Sequence, residues 1–173
     1  MAGISNTQEK FLHELGDIYD AEQQFLKGQQ EMLQQASDPT LKQMLERHIG
    51  ESEGQVQVLE QVFEALGEKP KRESCAAAKG LVTEAQKVLK EAQTPELRDC
   101  LIGGSAAKVE HYEIASYRGL IIGAQQMGQD QVVSLLEKNL QQEEQTAQKV
   151  EQSAPLLLQK AMQAETSTVG ADA

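Results

Sequence analysis

The chain has 173 residues, a formal charge of −11 and no tryptophan, and aromatic residues make up 3% of it. A chain this acidic repels phosphate backbones, and one this poor in rings offers few stacking surfaces, so nucleic acid is not an expected partner. Its longest apolar runs fall well short of the roughly 18 residues that read as a membrane span. The opening MAGISNTQEK lacks a basic start followed by an apolar core. No membrane association is therefore expected, and the cytoplasm is the expected compartment.

The length suits one domain with a real core. Proline is limited to 4 residues, and Gln, Glu, Ala, Leu and Lys recur throughout, which is the composition of long helices; no stretch alternates as a strand does. Cys75 and Cys100 form no CxxC pair and sit among small residues, so both are expected to be packed, reduced thiols.

In chain order, Phe11, Leu15, Ile18, Tyr19, Phe25, Leu26, Met32 and Leu33 recur at helical spacing and predict a first long helix from Thr7 to Ala36. Asp38-Pro39 then supplies a cap followed by proline at the first helical position, so a second helix starts at once and must run antiparallel to the first. Its inner face carries Leu41, Met44, Leu45, His48, Glu51, Gln55, Leu59, Val62 and Phe63, and Gly67 closes it. After the basic break Lys69-Pro70-Lys71-Arg72, a shorter helix from Ser74 to Ala92 reads as a connector. Thr94-Pro95 repeats the start signal for a third long helix that ends at Gln126 before Met127-Gly128. A fourth begins near Asp130, with Pro155 expected to kink or end it. Residues 1–163 are expected to form the bundle and residues 164–173, which show no pattern, a disordered tail. Two long helices, a connector and two more long helices give an all-α four-helix bundle of two hairpins with one long crossover.

Each long helix carries an acid in phase with its apolar stripe. Glu22 lies on the first, His48 and Glu51 one turn apart on the second, Glu110 and Glu113 on one face of the third, and Glu143 between Leu140 and Ala147 on the fourth. In an antiparallel bundle the mid-points of the helices share one level, so these side chains can converge. Ionised carboxylates in a core cost several kcal/mol each unless something neutralises them, and a metal ion would do so. Oxygen-rich ligation with one imidazole suits iron or manganese, and two ions bridged by carboxylates would balance the charge.

The stretches Asp17-Ile18-Tyr19-Asp20-Ala21-Glu22, His48 to Glu51, Lys108-Val109-Glu110-His111-Tyr112-Glu113-Ile114-Ala115-Ser116-Tyr117 and Glu143-Glu144-Gln145-Thr146 resemble the YciE/YciF family of bacterial ferritin-like stress proteins, over about residues 8 to 160. The resemblance implies a ferritin-like bundle, a homodimer, and a dinuclear iron or manganese site like that of rubrerythrins. The implied ligands are Glu22, Glu51, Glu110, Glu113 and Glu143. The pattern departs from ferritin-like di-iron proteins after Glu51, which is followed by Gly54 and Gln55, and after Glu143, which is followed by Thr146 and Ala147. Both usual histidines are missing. His48 can replace one of them, so a single or labile ion stays open beside the dinuclear site.

The implied function is a metal-binding stress protein acting on dioxygen or peroxide, with Tyr19 or Tyr117 near enough to hydrogen-bond the oxidant or to be oxidised. The alternative is a non-catalytic scaffold or protein-binding bundle whose central acids are neutralised by protons and by one another. Asp17 and Asp20 are expected either to line a metal access route or to face water. His111, turned about 100° from Glu110, is expected at the surface or in a dimer contact, and His13 in solvent.

Overall fold

The computed structural model describes residues 3–169. All regular structure among them is helical: α1 (Thr7–Gln35), α2 (Pro39–Ala65), α3 (Ala76–Glu91), α4 (Pro95–Gln126) and α5 (Asp130–Val169). The ends follow local chemistry. Asn6 accepts the Glu9 amide at 2.8 Å, Asp38 accepts those of Thr40 and Leu41 at 2.9 and 3.0 Å, and Thr94 accepts that of Leu97 at 3.2 Å. Pro39 and Pro95 follow their caps at a position where no amide is needed. Gly67 and Gly128, at φ of 72° and 68°, turn the chain out of α2 and α4, and the next amides reach back to Phe63 and Ala124 at 2.9 and 3.0 Å.

The four long helices pack in the cyclic order α1, α2, α5, α4, and α3 lies outside against α1 and α4. This is the ferritin-like arrangement expected, two antiparallel hairpins joined by a crossover that carries the chain from one end of the bundle to the other. At the far end Asp99, near the start of α4, accepts the Ser37 and Asp38 amides at 2.8 Å each, tying the second hairpin to the turn of the first. Because α4 touches α1, α3 and α5, apolar and small residues surround it rather than forming one stripe.

Two differences concern α5. Pro155 neither ends it nor marks its last turn; the helix continues through an exposed Pro155 to Val169, six residues past the expected boundary, while residues 170–173 of the expected tail lie outside the described residues. Among the described residues no helix is long and apolar enough to cross a membrane.

The core falls into two apolar plugs. One, around Phe11, Leu15, Phe25, Phe63, Leu120 and Leu136, fills the end where α2 turns out; the other, around Met32, Leu41, Leu45, Ile102 and Leu157, fills the opposite end. Burying one such Leu or Phe side chain contributes about 1.5–3 kcal/mol. The polar level between them is what the plugs hold together.

Candidate metal centre

Glu22, Glu113 and Glu143 are 0% exposed and Glu110 is 1% exposed. Each sits on its helix in phase with apolar neighbours that dock into the plugs, so the packing that buries Phe25, Val109, Tyr117 and Ala147 carries the acids inward. His48 of α2, Glu110 and Glu113 of α4 and Glu143 of α5 each offer one ligand atom, and these atoms all lie within 4.8 Å of one another. His48 Nε2 is 3.0 Å from Glu110 Oε1, close enough for an ion pair but without the alignment of a hydrogen bond, and its Nδ1 is 3.8 Å from Glu51 Oε2.

Glu22 and Glu51 stand beside this group of four in different ways. Glu22 is buried in contact with Glu113 and accepts the Tyr117 hydroxyl proton on Oε1. Glu51, with a side chain 19% exposed, reaches outward to Arg47 Nε at 2.9 Å and receives the Thr146 hydroxyl at 3.4 Å.

Burial pushes the Glu22 carboxyl up to about 7, against the lowering effect of Tyr117. Glu113 is raised well above the usual carboxylate range by burial and then by the Glu143, Glu22 and Glu110 charges, and Glu143 by burial and its contact with Glu110. Burial opposes charge on His48, yet the Glu110 and Glu51 carboxylates beside it outweigh that and hold it up at about 10. Glu51 is drawn down to about 2, first by His48 and further by Arg47, in spite of partial burial.

A second set of side chains fixes the carboxylates. Gln55 Nε2 donates to Glu143 Oε1; Asn139 Nδ2 donates to the Tyr117 hydroxyl at 3.0 Å and to the Gln55 carbonyl at 3.2 Å. Tyr117 is thus at the site, as expected. Asn139 had no expected role; its signal was its place one turn before Glu143, an amide on a stripe otherwise apolar.

Several buried ligand atoms have no hydrogen-bond partner: Glu22 Oε2, Glu110 Oε2, both oxygens of Glu113, Glu143 Oε2 and both nitrogens of His48. Buried polar groups are ordinarily hydrogen-bonded, so five oxygens and two nitrogens left over at one level need an explanation. All are hard oxygen or imidazole donors, and the set fits a cation such as iron or manganese. A narrow opening of about 40 Å³ between α2, α4 and α5, walled by Leu41, Met44, Ala106 and Val150, leads from Arg47 and Glu51 to His48 and Glu110.

Other expectations are corrected. Tyr19 is not at the site: its hydroxyl donates to Glu60 at 2.8 Å on the exposed side, and its ring stands edge-on to Phe63. Asp17 and Asp20 neither line a route to the acids nor simply face water. Asp20 accepts the Cys75 amide at 2.8 Å and pairs with Arg72 at 2.6 Å, and Asp17 accepts the Tyr112 hydroxyl at 2.9 Å. Both belong to the docking of the connector, because the chain between α2 and α3 passes over this face of α1. His111 is exposed and paired with Glu151 at 2.7 Å, His13 is exposed, and both cysteines are free, Cys75 serving as the cap of α3.

A family model described as a domain of unknown function, DUF892, matches residues 6–163. Protein YciF of Escherichia coli (strain K12) is 36% identical over 144 residues, which is 83% of this chain and 87% of that protein. The crystal structure of the E. coli stress protein YciF covers 90% of this chain and 99% of its own at a TM-score of 0.86 and 34% identity. YcfI of Rhodopseudomonas palustris covers 86% of this chain and 94% of its own at a TM-score of 0.84 and 39% identity. The matched region contains every member of the acid–histidine level, and on these likenesses the chain belongs to DUF892, the YciE/YciF family of bacterial stress proteins.

Proposed function

We propose that this chain is a ferritin-like metalloprotein of the stress response, whose central carboxylates hold iron or manganese, two ions when full, and whose bound metal acts on peroxide or dioxygen. The observation that carries the reading is the set of buried ligand atoms on Glu22, His48, Glu110, Glu113 and Glu143 that have no hydrogen-bond partner. Glu22, Glu51, Glu110, Glu113 and Glu143 with His48 are the holding residues. Glu110, in contact with both His48 and Glu143, would hold metal together with either neighbour. Five carboxylates against two divalent ions leave one negative charge in place of five. When bound, two such ions supply one electron each, enough to reduce one hydrogen peroxide with two protons to two waters.

The chain's own part is to hold and shield. Tyr117 and Asn139 fix Glu22, Gln55 fixes Glu143, and the two plugs keep bulk water from the acids. Arg47 draws Glu51 toward the opening, so Glu51 is the holding residue that stands between solvent and His48. The proposal extends to a homodimer, with the end of α5 that exposes Leu156, Leu158 and Met162 as the surface offered for it. Sedimentation at twice the 19.0 kDa chain mass supports it, and sedimentation at the chain mass refutes it.

One observation favours the scaffold alternative. The His48–Glu110 pair and the raised Glu22, Glu113 and Glu143 carboxyls show how protons alone can neutralise this level. Anaerobic titration with Fe(II) or Mn(II) separates the two. The metalloprotein reading expects saturable binding of one to two ions per chain, lost in Glu110→Ala. Binding weaker than about 1 mM, or about −4 kcal/mol, leaves only the scaffold.

A further inference from the structure

Gln29 lies on α1 two turns beyond Glu22, is 5% exposed, and has a protein partner at neither its amide nitrogen nor its amide oxygen. It faces a second cavity, of about 20 Å³, walled by Phe25, Gly28, Met32, Leu81, Val82 and Val109. His48 and Glu110 line this cavity and the opening beside Arg47 alike, so it adjoins the acid level from the side of α1 and α3. A leucine would fit such walls without leaving polar atoms unpaired. An amide kept there needs a hydrogen-bonding occupant.

We propose that this cavity is a binding pocket for hydrogen peroxide, with Gln29 as the residue that positions it. The volume takes a ligand of one to two heavy atoms at roughly 10–15 Å³ for each water-sized occupant. An amide presents donors on nitrogen and an acceptor on oxygen, so its complement must both accept and donate. Dioxygen donates nothing. Small anions such as azide or superoxide meet the negative field of Glu110 and its neighbours, and organic hydroperoxides exceed the space. Hydrogen peroxide is neutral, has two heavy atoms, and donates and accepts at each end. The inference deepens the metal-centre reading by naming the small molecule that meets it, and it rests on that reading for its consequence though not for the binding itself.

The test uses the full chain without metal, following the methyl signals of Val82 and Val109 by NMR as hydrogen peroxide is added. The wild type is expected to show a saturable shift, Gln29→Met and Gln29→Leu a shift at least tenfold weaker in apparent affinity, and ethyl hydroperoxide none. In the metal-loaded protein Gln29→Met is expected to raise KM for hydrogen peroxide tenfold or more with kcat retained. Metal-free Gln29→Leu should melt above the wild type, because it removes the unpaired amide. Absence of a saturable shift, or equal saturation in the variants, means that the cavity takes water only and overturns the proposal. A Gln29→Leu melting point several degrees below the wild type makes Gln29 a structural residue and overturns it as well. Peroxide shifts in a protein that binds no iron or manganese would sink the metal-centre reading while leaving the pocket. Metal binding without the shifts would do the reverse.

Discussion

Asp20 and Glu22 are two residues apart on α1, both are buried, and their surroundings treat them in opposite ways. Burial alone would raise Asp20, but the Cys75 amide, the Arg72 guanidinium and the Gln24 amide outweigh it and leave its carboxyl below the usual value. Glu22 has one phenolic donor for two oxygens and faces other acids, and it is raised to about 7. A buried acid with a donor for each lone pair is a fastener. A buried acid whose neighbours are acids is held for something the protein binds.

The contrast is sharpest in metal binding. Glu110→Ala is expected to weaken Fe(II) or Mn(II) binding by a hundredfold or more, read by anaerobic titration, whereas Asp20→Ala is expected to leave it within about threefold, an effect under 1 kcal/mol. Equal losses in the two variants would erase the distinction.

The next largest effect is in pH. Glu22 has a folded pKa above its unfolded value of 4.5, so the folded state binds the extra proton. That contribution to stability is fully present below about 4.5 and is lost as pH rises through about 7. His48, raised to about 10 from 6.5, acts in the same direction, fully present below 6.5 and lost as pH rises through about 10. Metal-free protein should therefore lose stability between about pH 5 and 9, by on the order of 3 kcal/mol from Glu22 alone at 1.36 kcal/mol per pKa unit. Thermal melts across that range check it. Saturating Mn(II) should flatten or reverse the slope, because metal competes with protons for the same atoms. Glu51, drawn down to about 2, works oppositely: its contribution is fully present above about 4.5 and is lost as pH falls from there through about 2.

At the fastener, Asp20→Ala removes hydrogen bonds to an ionised group and should lower stability by about 2–3 kcal/mol, seen as an earlier denaturation midpoint. The connector should loosen with it, because Asp20 holds the Cys75 amide that starts α3, and faster amide exchange in α3 would report this. The smallest change belongs to Arg47, whose ion pair with Glu51 is largely in water on the arginine side. Arg47→Ala should cost at most about 1 kcal/mol.

How much of this was legible in the sequence follows the same division. The helix starts at Pro39 and Pro95 and the stops at Gly67 and Gly128 were readable because caps, prolines and left-handed glycines act within a few residues. The inward acids were readable because Glu22, Glu110, Glu113 and Glu143 fall in phase with apolar stripes, and phase is a property of one helix at a time. The roles of Asp17 and Asp20 were not readable, because they depend on where the connector passes. That path runs against Gly16, where a side chain would collide with the Lys71 carbonyl at 2.9 Å. Tyr19 has the spacing of a core residue but leaves the site because Glu60 of α2 offers its hydroxyl an acceptor nearer solvent. Gln29 keeps the stripe of Glu22, Phe25 and Met32, and a glutamine among them was the available sign of a polar need. The last turns of α5 have no apolar pattern to announce them, and Pro155 suggested an end that its exposed position lets the helix avoid.

The most direct measurement is anomalous diffraction from crystals of this chain soaked anaerobically in Mn(II) or Fe(II). The account predicts a peak at ligand distance from His48, Glu110, Glu113 and Glu143, with a second beside Glu22 or Glu51 at full loading. A map without a peak at this level, with His48 still paired to Glu110 at saturating metal, would contradict it.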